Sequence, residues 1–164
     1  MDFVHDGLAD ERAFRVLTVV DQWSRQSPLL EPAYRISGAG VVAALDHAIG
    51  AGPVPASITV DHGTEFMSRA LEDWAYRRGV QLDFTRPGKP TDNSYIESFN
   101  GKLRDECLNV TQFDSLAQAQ AMIEAWRHDY NDQRPHGSLG HLTPREYALQ
   151  RQDTKTTGTA VLSL

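Results

Sequence analysis

The chain has 164 residues, 40% of them hydrophobic and 23% charged, a length and composition that fit one globular domain with a real core and exclude intrinsic disorder. With 16 basic against 22 acidic side chains the net charge is −6, which argues against a protein that grips nucleic acid by overall charge. It leaves open one that holds divalent cations on carboxylates. A single cysteine, Cys107, rules out an internal disulfide and a cysteine zinc cage. No apolar run approaches the roughly 20 residues of a membrane helix. The opening Met1-Asp2-Phe3-Val4-His5-Asp6 carries acids where a secretory signal carries bases. A cytoplasmic protein is expected.

Taken in chain order, Met1–Val4 is a short apolar-flanked segment bearing Asp2. Ala13–Val20 is a β-branched run suited to a buried strand, closed by the polar turn Asp21–Arg25. Pro28–Tyr34 reads as a third strand, at an edge because of Pro28 and Pro32. Val41, Val42, Leu45, Ala48 and Ile49 form a helical stripe stopped by Gly50 and Gly52-Pro53. Ser57–Val60 is a strand. Phe66, Met67, Ala70, Leu71 and Trp74 mark a helix ending at Gly79, and Val80–Phe84 alternates as a half-buried strand.

A breaker-rich loop, Arg86–Pro90, precedes a helix predicted over about 93–107, with Asp92 as its N-cap. A further helix is predicted from Ser115, at capping-box spacing from Gln118, to about Asp132. Thr143-Pro144-Arg145-Glu146 starts a short last helix. The core thus spans 1–150, and 151–164 is a polar tail. Three strands followed by alternating helices and strands imply a mixed sheet with helices on both faces.

Acids are common enough that spacing alone means little, so position on elements decides. Asp61 directly follows a strand, where open α/β sheets bind ligands; as a plain turn cap it would be equally at home in the tight His62-Gly63 turn. On the 93–107 helix, Ile96, Phe99, Leu103 and Cys107 share the buried stripe. Glu97 lies off it, with Asn93, Asn100, Gly101 and Arg104 on its side. An ordinary solvated face has the same pattern. Asp2 is an acid at the start of an apolar strand, or simply a solvated end. Three carboxylates brought together repel unless a divalent cation binds between them, and oxygen-only ligands favour Mg²⁺ or Mn²⁺ over zinc. The histidines lack ligand spacing; His62 adjoins Asp61 and His136 reads as structural.

Asp61-His62-Gly63-Thr64-Glu65-Phe66 and Tyr95-Ile96-Glu97-Ser98-Phe99-Asn100-Gly101-Lys102-Leu103-Arg104 closely resemble the integrase core of bacterial insertion-sequence transposases, the branch similar to retroviral integrases. Thirty-five residues separate Asp61 from Glu97, the D, D-35-E spacing of that family. Val19-Val20-Asp21 with Ser24-Arg25, the loop Pro87–Pro90, and Trp126-Arg127, Tyr130-Asn131, Arg134-Pro135-His136, Leu139 and Thr143-Pro144 also match its patterns. The resemblance covers residues 1 to about 150.

It implies a ribonuclease H-like fold with a mixed five-stranded sheet and a catalytic, metal-binding triad of Asp2, Asp61 and Glu97, with Asp6 the rival to Asp2. It also implies two Mg²⁺ ions, replaceable by Mn²⁺, about 4 Å apart. The reaction implied is DNA strand cleavage by water, then attack of the freed 3′-hydroxyl on target DNA, by a homo-oligomer on DNA. Candidate DNA-contacting residues are Arg86, Lys89, Asn93, Asn100, Lys102 and Arg104. Residues 86–104 carry a local charge of +2 within the acidic whole. Two departures stand out. His62 replaces the family's usual asparagine, and the upstream helix-turn-helix region that recognises element ends is missing. A related nuclease of the same fold, and an inactive remnant that binds DNA or the full transposase, are the competing expectations.

Overall fold

The structure is a computed structural model and describes residues 1–50, 52–86 and 93–150. The first three strands are β1 (Asp2–Gly7), β2 (Ala13–Val19) and β3 (Leu29–Ala33). They form an antiparallel meander in the order β1-β2-β3, with Asp2 opposite Thr18 and Thr18 opposite Leu30. Pro32 sits on β3, whose only sheet partner among the described residues is β2, the edge position that suits a residue lacking an N–H.

Helix α1 (Gly38–Ile49) begins where the Ser37 hydroxyl accepts the Gly40 N–H and ends at Gly50, whose φ is 52°. Strand β4 (Ser57–Val60) pairs in parallel with β5 (Gln81–Phe84), Ser57 opposite Gln81. Between them lies α2 (Arg69–Arg78), capped by Ser68 and closed by Gly79 at φ 68°. The β4–α2–β5 unit is a parallel crossover and supplies the parallel part of the expected mixed sheet.

The expected five-stranded sheet is drawn as two hydrogen-bonded pieces, of three strands and two. Among the described residues, the bond between their backbones at this seam runs from the Met1 nitrogen to the Thr59 carbonyl, 2.7 Å.

Helix α3 (Ser94–Leu103) buries Ile96, Phe99 and Leu103. The predicted helix continues to 107 but changes pitch. Arg104–Leu108 forms one wide π turn, with Asn109 N–H bonded to the Arg104 carbonyl. The wider turn lets the consecutive Cys107 and Leu108 both face the core. The predicted cap Asp92 lies outside the described residues; Asn93 holds the cap position without a side-chain bond.

Helix α4 (Leu116–Asp132) starts as predicted, with the Gln118 N–H on the Ser115 hydroxyl, but Gln118 returns its bond to the Asp114 N–H rather than to Ser115. A final helix covers 144–150, opened by a reciprocal box in which Thr143 and Glu146 each accept the other's backbone N–H.

Alternation along β2 splits the core in two. Phe14 and Val16 point to one side, joining Val4, Ile96, Phe99, Leu103, Ile123 and Trp126 beneath α3 and α4. Leu17 points to the other, joining Val41, Leu45, Val60, Leu71 and Trp74 beneath α1 and α2. The sheet therefore carries helices on both faces. No described helix is long and apolar enough to cross a membrane.

Candidate active site

Asp2 shares the α3 side of β1 with Val4, because residues two apart on a strand face the same way. Its Oδ1 accepts the Phe3 N–H at 2.7 Å and its Oδ2 accepts the Asn100 Nδ2 at 2.8 Å, while its carbonyl takes the Thr18 hydroxyl at 3.2 Å. Asp61 follows β4 in a tight turn, where its Oδ1 accepts the Gly63 N–H at 2.8 Å. A side chain at residue 63 would set its Cβ 2.9 Å from that oxygen, so any larger residue would push the Asp61 carboxylate out of this position. The turn is anchored from the far side: Arg15 bonds both the Ile36 carbonyl and the Glu65 carboxylate, the latter at 2.6 Å. The Arg15 guanidinium lies over Phe3, which stacks on Phe66.

The seam bond from Met1 to Thr59 brings the start of β1 beside the end of β4, and so Asp2 beside Asp61. Glu97 stands exposed on α3, one turn before Asn100. Burial raises the Asp2 carboxyl above its usual range, and the charges of Asp61 and Glu97 push it the same way. All three predicted carboxylates therefore act on one locality. The three expected carboxylates offer only oxygen donors, a set that suits a hard divalent cation. As the side chains stand, no three described Asp, Glu, His or Cys residues are close enough to hold one ion. Asp6 lies at the far end of β1, with Oδ1 on the Gly7 N–H and Oδ2 buried without a partner.

The other candidates separate. Arg104 reaches back to β1, donating to the His5 carbonyl at 3.1 Å. Arg86 is exposed and Asn93 is half-buried at the helix start. Asn100 is only 9% exposed and turned inward to Asp2. Lys102 faces away from Arg104, with its Nζ 5.9 Å from the Tyr130 ring. Lys89 lies outside the described residues. His62 packs its ring on Phe84 at 5.4 Å.

The C-terminal motif residues are fasteners. Asn131 pairs reciprocally with the backbone of Ser27, both bonds 2.9 Å, and Arg127 adds a bond to the Ser27 carbonyl. Trp126 and Arg134 both bond Glu106 on the π turn. His136 stands edge-on to Tyr130.

Residues 1–90 and 78–144 match two profiles described as the integrase core domain. An uncharacterized 31.7 kDa protein of insertion element IS407 in Burkholderia multivorans is 49% identical over 154 residues, covering 94% of this chain and 56% of that protein. An uncharacterized 39.2 kDa protein of IS476 in Xanthomonas euvesicatoria is 48% identical over 148 residues, covering 90% and 43%. The chain thus spans about half the length of these relatives. Among solved structures, the HTLV-2 integrase catalytic core in complex with magnesium superposes with a TM-score of 0.65 at 15% identity, covering 89% of this chain and 94% of that one. The BIV integrase core gives 0.68 at 16%, covering 94% and 96%. The architecture is accordingly that of the retroviral integrase core, ribonuclease H-like, and the chain belongs to the integrase core domain family.

Proposed function

We propose that this chain is the catalytic core of a DNA transposase, performing metal-dependent strand cleavage and strand transfer. The observation that carries this reading is the placing of the three carboxylates on adjoining elements: Asp2 at the start of β1 is bonded to Asn100 of α3, one turn after Glu97, and the Met1–Thr59 bond sets β1 beside the end of β4, where Asp61 follows. Asp2, Asp61 and Glu97 would hold two Mg²⁺ ions, with Mn²⁺ able to replace them, and the metal would supply charge stabilisation for the attacking and leaving oxygens. The protein's own part is positioning: Gly63 and Phe3 N–H groups and the Asn100 amide hold the aspartates, and α3 presents Glu97 and Arg104 to a DNA strand. Water attacks a phosphodiester at the element end and releases a 3′-hydroxyl. That hydroxyl attacks a target phosphodiester, forming one P–O bond as another breaks, so no external energy source is needed. The chain acts as a homo-oligomer on DNA.

Asp61→Asn and Glu97→Gln test the assignment in an oligonucleotide strand-transfer assay with Mg²⁺ or Mn²⁺. Each keeps shape and removes a charge. Both products, cleaved and joined, are expected to vanish while the thermal transition is retained. Wild-type activity in either variant would refute the triad. DNA binding by the wild type without cleavage in either metal would mark the chain as an inactive remnant.

A further inference from the structure

The turn between β2 and β3 is closed by its own hydrogen bonds. The Asp21 carboxylate accepts the Trp23 N–H at 3.3 Å and the Ser24 N–H at 2.9 Å, and it takes the Ser24 hydroxyl as well. The Asp21 carbonyl accepts the Arg25 N–H, and the Gln26 carbonyl accepts the Asp21 N–H, each at 2.8 Å. Ser27, where the turn ends, is bonded to Asn131 of α4. This network holds Arg25 at φ 63°, in the left-handed region that a side chain disfavours. Such strain persists only where the surroundings over-determine it.

The turn sends two side chains to two different elements. The Gln22 amide reaches Oγ1 of Thr59 on β4 at 3.3 Å. Thr59 lies two residues before Asp61, and its carbonyl is the one that takes the Met1 nitrogen. The Arg25 guanidinium donates to the Gln22 carbonyl and lies over the Tyr95 ring of α3 at 3.9 Å. Tyr95 is 46% exposed, so its ring packs on Arg25 at the surface rather than in the core. It stands two residues before Glu97, about 200° around the helix, so Arg25 bears on the back of the turn that carries Glu97. The start of α3 has no side-chain cap of its own at Asn93, and the Asn100–Asp2 bond lies more than a turn further on. A run of direct contacts, Thr59 to Gln22 to Arg25 to Tyr95, thus joins the strand before Asp61 to the helix of Glu97.

We propose that Arg25 and Tyr95 are positioning residues, and that the Asp21–Gln26 turn is a strut that sets the separation of Asp61 and Glu97. Arg25 touches neither metal nor DNA in this role. The turn holds its guanidinium at a fixed place beside β4, and the Tyr95 ring rests against it. That contact fixes how closely the Glu97 end of α3 approaches Asp61. The left-handed φ of Arg25 is the strain accepted in aiming the guanidinium there. This rests on the metal-holding triad proposed above and adds what keeps two of its members in register.

The test is titration of the purified chain with Mn²⁺, read from the EPR signal of free Mn²⁺ well below the unfolding temperature, beside thermal melts without metal. Arg25→Gly removes the guanidinium and relieves the left-handed strain. It is expected to melt close to wild type yet to bind Mn²⁺ about tenfold more weakly, the effect of losing a group that orients a metal ligand. Tyr95→Leu is expected to weaken Mn²⁺ binding to a similar degree, and Tyr95→Phe to keep the wild-type affinity. The double variant of Arg25→Gly with Tyr95→Leu should bind no more weakly than Arg25→Gly alone, because both changes remove one contact. Wild-type Mn²⁺ affinity in folded Arg25→Gly and Tyr95→Leu, or an affinity that falls only in step with the melting temperature, overturns the strut and leaves the metal site standing. If Asp61→Asn binds Mn²⁺ as tightly as wild type, the triad itself falls, and the strut with it.

Discussion

Asn100 and Asp2 are 98 residues apart in sequence and 2.8 Å apart in space, amide nitrogen to carboxylate oxygen. The bond fixes the rotation of α3 against β1. Because Glu97 lies one turn before Asn100, it also fixes where Glu97 stands relative to Asp2. Asn100→Leu keeps the volume buried and removes the donor. It is expected to lower strand-transfer rates about 10- to 100-fold, the usual effect of losing a group that orients a metal ligand, with DNA binding nearly unchanged. A single-turnover assay beside an anisotropy titration separates the two; an equal loss in both would place Asn100 on the DNA instead.

Asp2 gives a pH and metal signature. Its carboxyl is raised in the folded chain by burial, then by its acidic neighbours. The native state therefore holds the proton more tightly than the unfolded state, and stability falls as pH rises above the ordinary value of 3.8. Without metal, Asp2→Asn is expected to melt at least as high as wild type at neutral pH and to lose that downward slope. With Mn²⁺ the order reverses, because metal binding the folded form stabilises only a chain that retains its ligand. Thermal melts with and without Mn²⁺ measure this. Equal Mn²⁺ stabilisation of both, with loss in Asp6→Asn, would move the ligand to Asp6.

Arg104 tests the Glu97 face of α3. It donates one guanidinium nitrogen to the His5 carbonyl, and it forms no ion pair with a described carboxylate, so phosphate is the partner expected for the rest of its fork. Arg104→Ala is expected to weaken binding to duplexes of any sequence and to reduce the salt slope by about one, with Mn²⁺ thermal shifts unchanged. An unchanged slope with a lower melting temperature would make the His5 bond its whole role.

Element order and most boundaries were legible because each element carries local signals: Gly50 and Gly79 as stops, Ser115 and Thr143 as caps, alternation along β2. The sheet seam was not, because a single Met1–Thr59 bond has no pattern in sequence. Periodicity puts Asn100 on the Glu97 side of α3, but it gives a face and not a partner. Its burial against Asp2 depends on how closely α3 approaches β1. The Arg15–Glu65 pair joins residues 50 apart, and no local sequence signal pairs them. Arg15 interrupts an apolar strand, which is the one sign that something across the sheet must receive it. The π turn at Arg104–Leu108 leaves only a faint trace, two adjacent apolar residues where a regular helix would bury one.

Arg15 and Glu65 have side chains about one-fifth exposed, 19% and 20%, and meet at 2.6 Å. Glu65 belongs to the turn that positions Asp61, so the pair ties that turn to β2. Arg15→Met keeps the packing over Phe3 but leaves Glu65 without its cation, at a cost of about 2–3 kcal/mol for a charged, partly buried hydrogen bond. The hydrogen bond from Arg15 holds the Glu65 carboxyl below its ordinary 4.5, against the opposing effect of burial. A depressed carboxyl stabilises the fold above its unfolded value and stops doing so as pH falls through the native one. The stability gap between wild type and Arg15→Met should thus be full at neutral pH and close as the solution is acidified below that range. Urea unfolding along the pH series measures the gap, and one that stays constant would assign the loss to packing rather than to the ion pair. In strand transfer at neutral pH, a turn freed from β2 should slow the chemical step more than it weakens duplex binding, because Asp61 is displaced while Arg104 is not.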